Sequence, residues 1–98
     1  MSDAAEGDDE VRREVEIVNE RGLHARASAK FVKAAAGFDA QVSVARDGHL
    51  VDAQSIMGLM MLAAGPGSVI EIIAQGPQAV PAVDCLCALV AARFDEDR

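Results

Sequence analysis

Ninety-eight residues with a formal charge of −7 are enough for one domain with one core. Half the residues are apolar and the only aromatics are three Phe, so Ala, Val, Ile, Leu and Met must fill that core. The acidity argues against a nucleic-acid binder, which needs Lys and Arg against backbone phosphates, and most of it sits in Met1 to Glu10 and Asp95 to Arg98.

Met1 to Glu10 is rich in Ala, Gly and Asp, and a disordered acidic tail is expected there. It contains no basic segment followed by an apolar one, so no secretory signal is expected, and no apolar run is long enough to span a bilayer. Val11 to Val18 reads as a strand with Val11, Val15 and Ile17 on one side. After a turn at Asn19 to Gly22, the stretch Ala25 to Ala36 is Ala- and Lys-rich without Pro or Gly. It predicts a helix with Ala27, Phe31, Ala34 and Ala35 inward and Gly37 as its stop. Gln41 to Ala45 and His49 to Asp52 flank Asp47-Gly48, a strong hairpin signal.

Ser55 then stands as an N-cap before a helix over Ile56 to Ala64, ended by Gly65-Pro66-Gly67. Val69 to Ala74 is a continuous apolar run suited to a central strand. A last helix is predicted from Gln78 to Phe94, burying Val80, Val83, Leu86, Cys87, Val90 and Phe94. Cys85 and Cys87 are expected to be small buried residues on it, because no His or further Cys lies near to complete a metal site; reduced thiols fit a cytoplasmic protein. The order β-α-β-β-α-β-α predicts an α+β open-faced β-sandwich, with a four-stranded antiparallel sheet and three helices on one face. The single domain is expected over residues 11–94, with residues 95–98 as a short C-terminal tail.

His24 is the residue that asks for chemistry. It lies at the last non-helical position before Ala25, where the unpaired amides of the first turn and the helix dipole favour an anion. Arg26 adds a guanidinium that can grip phosphate oxygens, with the backbone amides of Ala25 and Arg26 beside it. Imidazole is also a good nucleophile near neutral pH. A phosphoryl group accepted there would stay reactive, which is what a carrier needs. His49, beside the hairpin turn, has neither a helix N-terminus nor a spaced arginine and is expected to be a solvent-exposed strand residue.

Gly22-Leu23-His24-Ala25-Arg26, followed by Ala-Ser-Ala and a Phe-Val-Lys helix, resembles the active-site signature of the HPr family. These are the histidine phosphocarrier proteins of the bacterial phosphoenolpyruvate-dependent phosphotransferase system. Gln54-Ser55-Ile56-Met57-Gly58-Leu59-Met60 resembles the family's second signature, and Val69 to Gly76 its last strand. The resemblance implies that His24 accepts phosphate through Nδ1 from enzyme I and passes it to an enzyme IIA, with Arg26 stabilising the phosphate. It implies a stoichiometric carrier, not an enzyme, working as a monomer without cofactor or metal. It departs at Ala27, where the family usually has Pro, and at Gln54, where it often has Lys.

Ser55 has two compatible readings: a helix N-cap, and the serine that an HPr kinase/phosphorylase modifies in many bacteria. Ile56, Met57 and Met60 are either core or a flexible docking patch for partners, since Leu59 and Leu62 suffice as the inward stripe. Three other readings stay open. The carrier can belong to a nitrogen-related regulatory branch instead of sugar uptake. A small acylphosphatase-like phosphatase would need a glycine-rich loop with Arg and Asn, of which Asn19 and Arg21 are a fragment. An effector-binding module would do no chemistry.

Overall fold

In the computed structural model, which describes residues 10–98, Val11 and Val15 with the charged residues around them form strand β1 (Val11–Glu16) at one edge of a sheet, and Ile17 follows just beyond it. The expected acidic tail lies outside the described residues except for Glu10, whose carboxylate accepts from Arg12 Nε at 2.9 Å. Helix α1 (Ala25–Ala36) follows, then β2 (Gln41–Arg46) and β3 (His49–Asp52), α2 (Ile56–Met61), β4 (Val69–Gln75) and α3 (Ala79–Ala91). The sheet order is β1-β4-β2-β3 with every pairing antiparallel. Asp47 and Gly48 close the β2–β3 hairpin with φ of 51° and 83°, the left-handed pair that a two-residue turn requires.

One sheet face carries Ile17, Val42, Val44, Ile70, Ile72 and Ala74, all buried. Against it pack Phe31 of α1, Leu59 of α2, and Val83, Leu86 and Val90 of α3. The opposite face is open to solvent and holds polar pairs such as Arg12 with Glu71 at 3.1 Å. This is the expected open-faced sandwich, with all three helices on one side.

Two helix ends differ from expectation. Helix α2 stops at Met61, and the left-handed residue after it is Ala63 (φ 53°), ahead of Gly65. Tertiary partners replace the glycine stop: Arg46 Nη1 donates to Leu62 O at 2.8 Å, and Leu23 N donates to Ala64 O at 2.9 Å. The first bond satisfies a carbonyl that the helix end leaves free, and the second ties down the loop that follows it. Helix α3 begins at Ala79, with Pro81 inside the first turn, where its missing N–H costs nothing. It ends at Ala91, three residues short of the predicted Phe94.

The burial predicted for α3 is corrected at three positions. Val80 and Cys85 are exposed and Cys87 is only half-buried, while Ala79 and Ala82 take the inward places. Cys87 instead lies beside Arg13 and Asp84, which pair at 2.6 Å at the β1 edge.

Beyond α3 the chain reverses through Arg93, Phe94 and Asp95, whose φ angles of 59°, 54° and 64° are all left-handed. Each such non-glycine residue costs roughly 1 kcal/mol or more. Burial of the Phe94 side chain, about 1.5–3 kcal/mol, and the bond from Lys30 Nζ to Phe94 O at 2.7 Å offset that cost. The reversal carries residues 95–98, expected to be a tail, back over the start of α1.

Candidate phosphoryl-acceptor site

His24 caps α1 with its own ring. Its backbone is extended (φ −76°, ψ −178°), its carbonyl accepts from Ser28 N at 2.9 Å, and its Nδ1 accepts from Arg26 N at 3.2 Å. A donor amide at Nδ1 means that this nitrogen carries a lone pair and no hydrogen, so the ring hydrogen is on Nε2. That Nε2 lies 2.5 Å from Glu96 Oε2. Nδ1 is thus the ring nitrogen held at the mouth of the α1 N-terminus.

The turn before the histidine is clamped from below. Asn19 is fully buried, and its Nδ2 donates both to Gly22 O at 2.9 Å and to Glu96 Oε1 at 3.0 Å. Gly22 has φ +64°, and a Cβ there would sit 2.3 Å from Ala64 O. Only glycine lets this turn lie flat on the loop between α2 and β4. Leu23 is buried next to it, which leaves His24 as the first side chain to reach the surface.

Arg26 is exposed, and its guanidinium has no ion-pair partner among the described residues. With Arg21 and Lys30 it lines a polar cleft of about 450 Å³ whose far wall is the returning C-terminal segment. A second hollow of about 300 Å³ joins His24 to Arg21, Met60 and Ala64. Met60 is 39% exposed, Ile56 40% and Met57 70%, so the helix after Ser55 presents an apolar surface continuous with the histidine. Leu59 and Leu62 are buried as expected. Ser55 Oγ accepts from Gly58 N at 2.9 Å, the predicted N-cap, and Gln54 beside it is exposed. His49 is exposed on β3 and caps no helix.

A model of the family described as "PTS HPr component phosphorylation site" matches residues 11–92. The phosphocarrier protein HPr of Cupriavidus necator is 51% identical over 86 residues, covering 88% of this chain and 97% of that protein. The phosphocarrier protein NPr of Shewanella violacea is 42% identical over 86 residues, covering 88% and 94%. The crystal structure of HPr-C-His from Thermoanaerobacter tengcongensis superposes with a TM-score of 0.85 at 38% identity, covering 90% of this chain and 99% of that one. The chain belongs to the HPr family.

As an HPr-family phosphocarrier of the phosphotransferase system, the protein needs an exposed acceptor and surfaces for transient partners. Ala27, where the family usually has Pro, is fully buried in the first turn of α1, and the helix starts at Ala25 without the pre-set proline geometry. Among the described residues no helix is long and apolar enough to cross a membrane.

Sequence reasoning missed Glu96 and gave Asn19 a different part. Glu96 fell in a stretch read as a tail, and no spacing rule links residues 24 and 96. The available signal was Phe94, an apolar residue at the end of the last helix, which shows that the chain still touches the core two residues before Glu96.

Desolvation pushes the Glu96 carboxyl up, but hydrogen bonds from His24 and Asn19, with the charges of His24 and Arg21, hold it below its ordinary value. A folded-state value below the unfolded one adds stability above the ordinary glutamate range near ~4.3, and that stability is lost as pH falls through the folded value. The melting temperatures of the wild type and Glu96→Gln are therefore expected to differ at neutral pH and to converge as pH drops from about 5 towards 3. A constant difference across that range would show that the carboxylate is not engaged.

Proposed function

We propose that the protein accepts a phosphoryl group from phospho-enzyme I on His24 Nδ1 and delivers it to an enzyme IIA. The observation that carries this reading is the His24 ring, whose Nδ1 accepts from the Arg26 amide at the N-terminal end of α1. On phosphorylation the Arg26 amide, freed from Nδ1, and the Ala25 amide lie where phosphate oxygens would arrive, and the Arg26 guanidinium is at hand. The carrier is stoichiometric and works as a monomer in transient complexes. Ile56, Met57 and Met60 dock its partners.

The test is incubation with enzyme I and labelled phosphoenolpyruvate. One acid-labile, base-stable phosphate per chain supports the carrier. Catalytic release of phosphate would favour a phosphatase, and absence of label an effector module.

A nitrogen-related branch is the second reading, favoured by the 42% identity to an NPr. Comparing the rates at which sugar-type and nitrogen-type enzyme IIA proteins take the phosphate separates the two.

Ser55 is proposed as a regulatory phosphorylation site for an HPr kinase/phosphorylase. A phosphate there suits the start of α2, and it would set a double negative charge beside the apolar docking surface. Asp is itself a good N-cap, so Ser55→Asp should fold normally. It is expected to accept phosphate from enzyme I about tenfold more slowly or worse, through like-charge repulsion and desolvation at the interface. An unchanged transfer rate would remove the regulatory reading.

A further inference from the structure

Both ring nitrogens of His24 are held, but by partners of different fate. Nδ1 accepts from the Arg26 amide at 3.2 Å, and a phosphoryl group on Nδ1 ends that contact. Nε2 faces Glu96 Oε2 at 2.5 Å, and nothing in the transfer displaces it. Glu96 is itself fixed: its other oxygen accepts from buried Asn19, whose amide also holds Gly22 O in the histidine turn. The chain reaches this position only through three consecutive left-handed non-glycine residues, anchored by buried Phe94 and by Lys30. Strain concentrated on the segment that turns one carboxylate onto one imidazole points to a use for that carboxylate.

We propose that Glu96, oriented by Asn19, is a positioning residue for phosphoryl transfer, holding the His24 ring through Nε2–H and countering the charge that the ring gains. This rests on the reading of His24 as the acceptor. In the accepting step the Nδ1 lone pair forms the N–P bond while the donor's bond to phosphorus breaks, and that electron pair stays with the donor. With phosphorus on Nδ1 and hydrogen still on Nε2, the ring becomes an imidazolium, and Glu96 faces the new charge without any proton moving. On delivery the Nδ1–P bond breaks, its electron pair returns to Nδ1, and the ring is neutral again. The carboxylate interacts more strongly with the charged ring than with the neutral one, so its contribution grows towards the transition state.

The test compares wild type, Glu96→Gln, Glu96→Ala and the control Asp47→Asn, an exposed residue of the β2–β3 hairpin, which makes the same charge change away from His24 and its cleft. Steady-state transfer from enzyme I is measured together with the imidazole proton spectrum. Glu96→Gln should lower kcat about tenfold and Glu96→Ala further, with KM for enzyme I and the final stoichiometry unchanged. The hydrogen-bonded, downfield Nε2 proton of His24 should vanish in Glu96→Ala, and Asp47→Asn should match wild type in both readouts. A wild-type kcat in Glu96→Ala, a change in KM alone, or slowing with an unchanged His24 proton would each overturn the proposal. Labelling of His24→Ala would overturn the acceptor reading instead, whatever the Glu96 variants do.

Discussion

Replacement of His24 by alanine is expected to abolish phosphate uptake from enzyme I and to leave the fold standing. The imidazole is a partly exposed cap with two hydrogen bonds, one to the Arg26 amide and one to Glu96. Losing a side-chain cap costs roughly 0.5–2 kcal/mol, against the 5–15 kcal/mol of a typical domain. That predicts a melting temperature lower by about 2–16 °C, since each kcal/mol moves a domain of this size by about 4–8 °C. Chemistry suffers far more, because among the described residues no other nucleophile stands free at the α1 N-terminus: Ser28 is buried with its hydroxyl bonded to Leu23 O at 3.2 Å, and His49 lies on β3. Labelling with phosphoenolpyruvate and enzyme I, beside circular dichroism of the same sample, checks both halves. Label on a folded His24→Ala protein would move the acceptor to another residue.

The parts of this site that could be read from the sequence are those whose causes are local. Gly22, His24 and the Ala-rich run after it place a turn, a cap and a helix start within a few residues of each other. The α1 boundaries follow from them as predicted. Asp47-Gly48 and Ser55 are legible for the same reason, each imposing a backbone conformation or a cap on its immediate neighbours.

What escaped depends on residues far apart in the chain. Arg46 ends α2 from sixteen residues away, so Gly65 was a misleading stop. On α3 almost every position is apolar or small, which leaves helical periodicity unable to choose between Val80 and Ala79 or Ala82 as the inward set. The contact between His24 and Glu96 spans seventy-two residues and depends on a left-handed turn at Arg93 to Asp95, none of which is a glycine. Left-handed geometry without glycine has no local signature. The carboxylate that faces His24 could be found only once the fold had placed it.

Gly22→Ala is expected to be the most costly glycine-to-alanine change among the described residues. The new Cβ would meet two backbone atoms, Ala64 O at 2.3 Å and Gly65 Cα at 2.8 Å, and backbone cannot swing aside as a flexible side chain can. The same Ala64 carbonyl accepts from Leu23 N, so separating the two loops also breaks that bond and strands a buried amide. The left-handed φ adds about 1 kcal/mol, and the lost bond with its unsatisfied donor about 2 more, for a total of about 3 kcal/mol. Gly48→Ala is the matched control: its φ is +83°, but among the described residues no atom beyond its chain neighbours lies within 4 Å of the added Cβ, so only the conformational cost of about 1 kcal/mol applies. Thermal denaturation should therefore place Gly22→Ala at least about 12 °C below wild type and Gly48→Ala within about 8 °C of it. Function should separate them more sharply. Gly22 O is the anchor for Asn19 Nδ2, which in turn holds Glu96 against His24, so displacement of the turn misaligns the ring as well as loosening the fold. Phosphate acceptance, measured well below both melting temperatures, should be about tenfold slower in Gly22→Ala, because small misplacements of a reacting group are costly, and unchanged in Gly48→Ala. Equal melting temperatures for the two variants would mean that the histidine turn does not rest on the α2–β4 loop. Equal transfer rates would mean that this support does not set the orientation of His24.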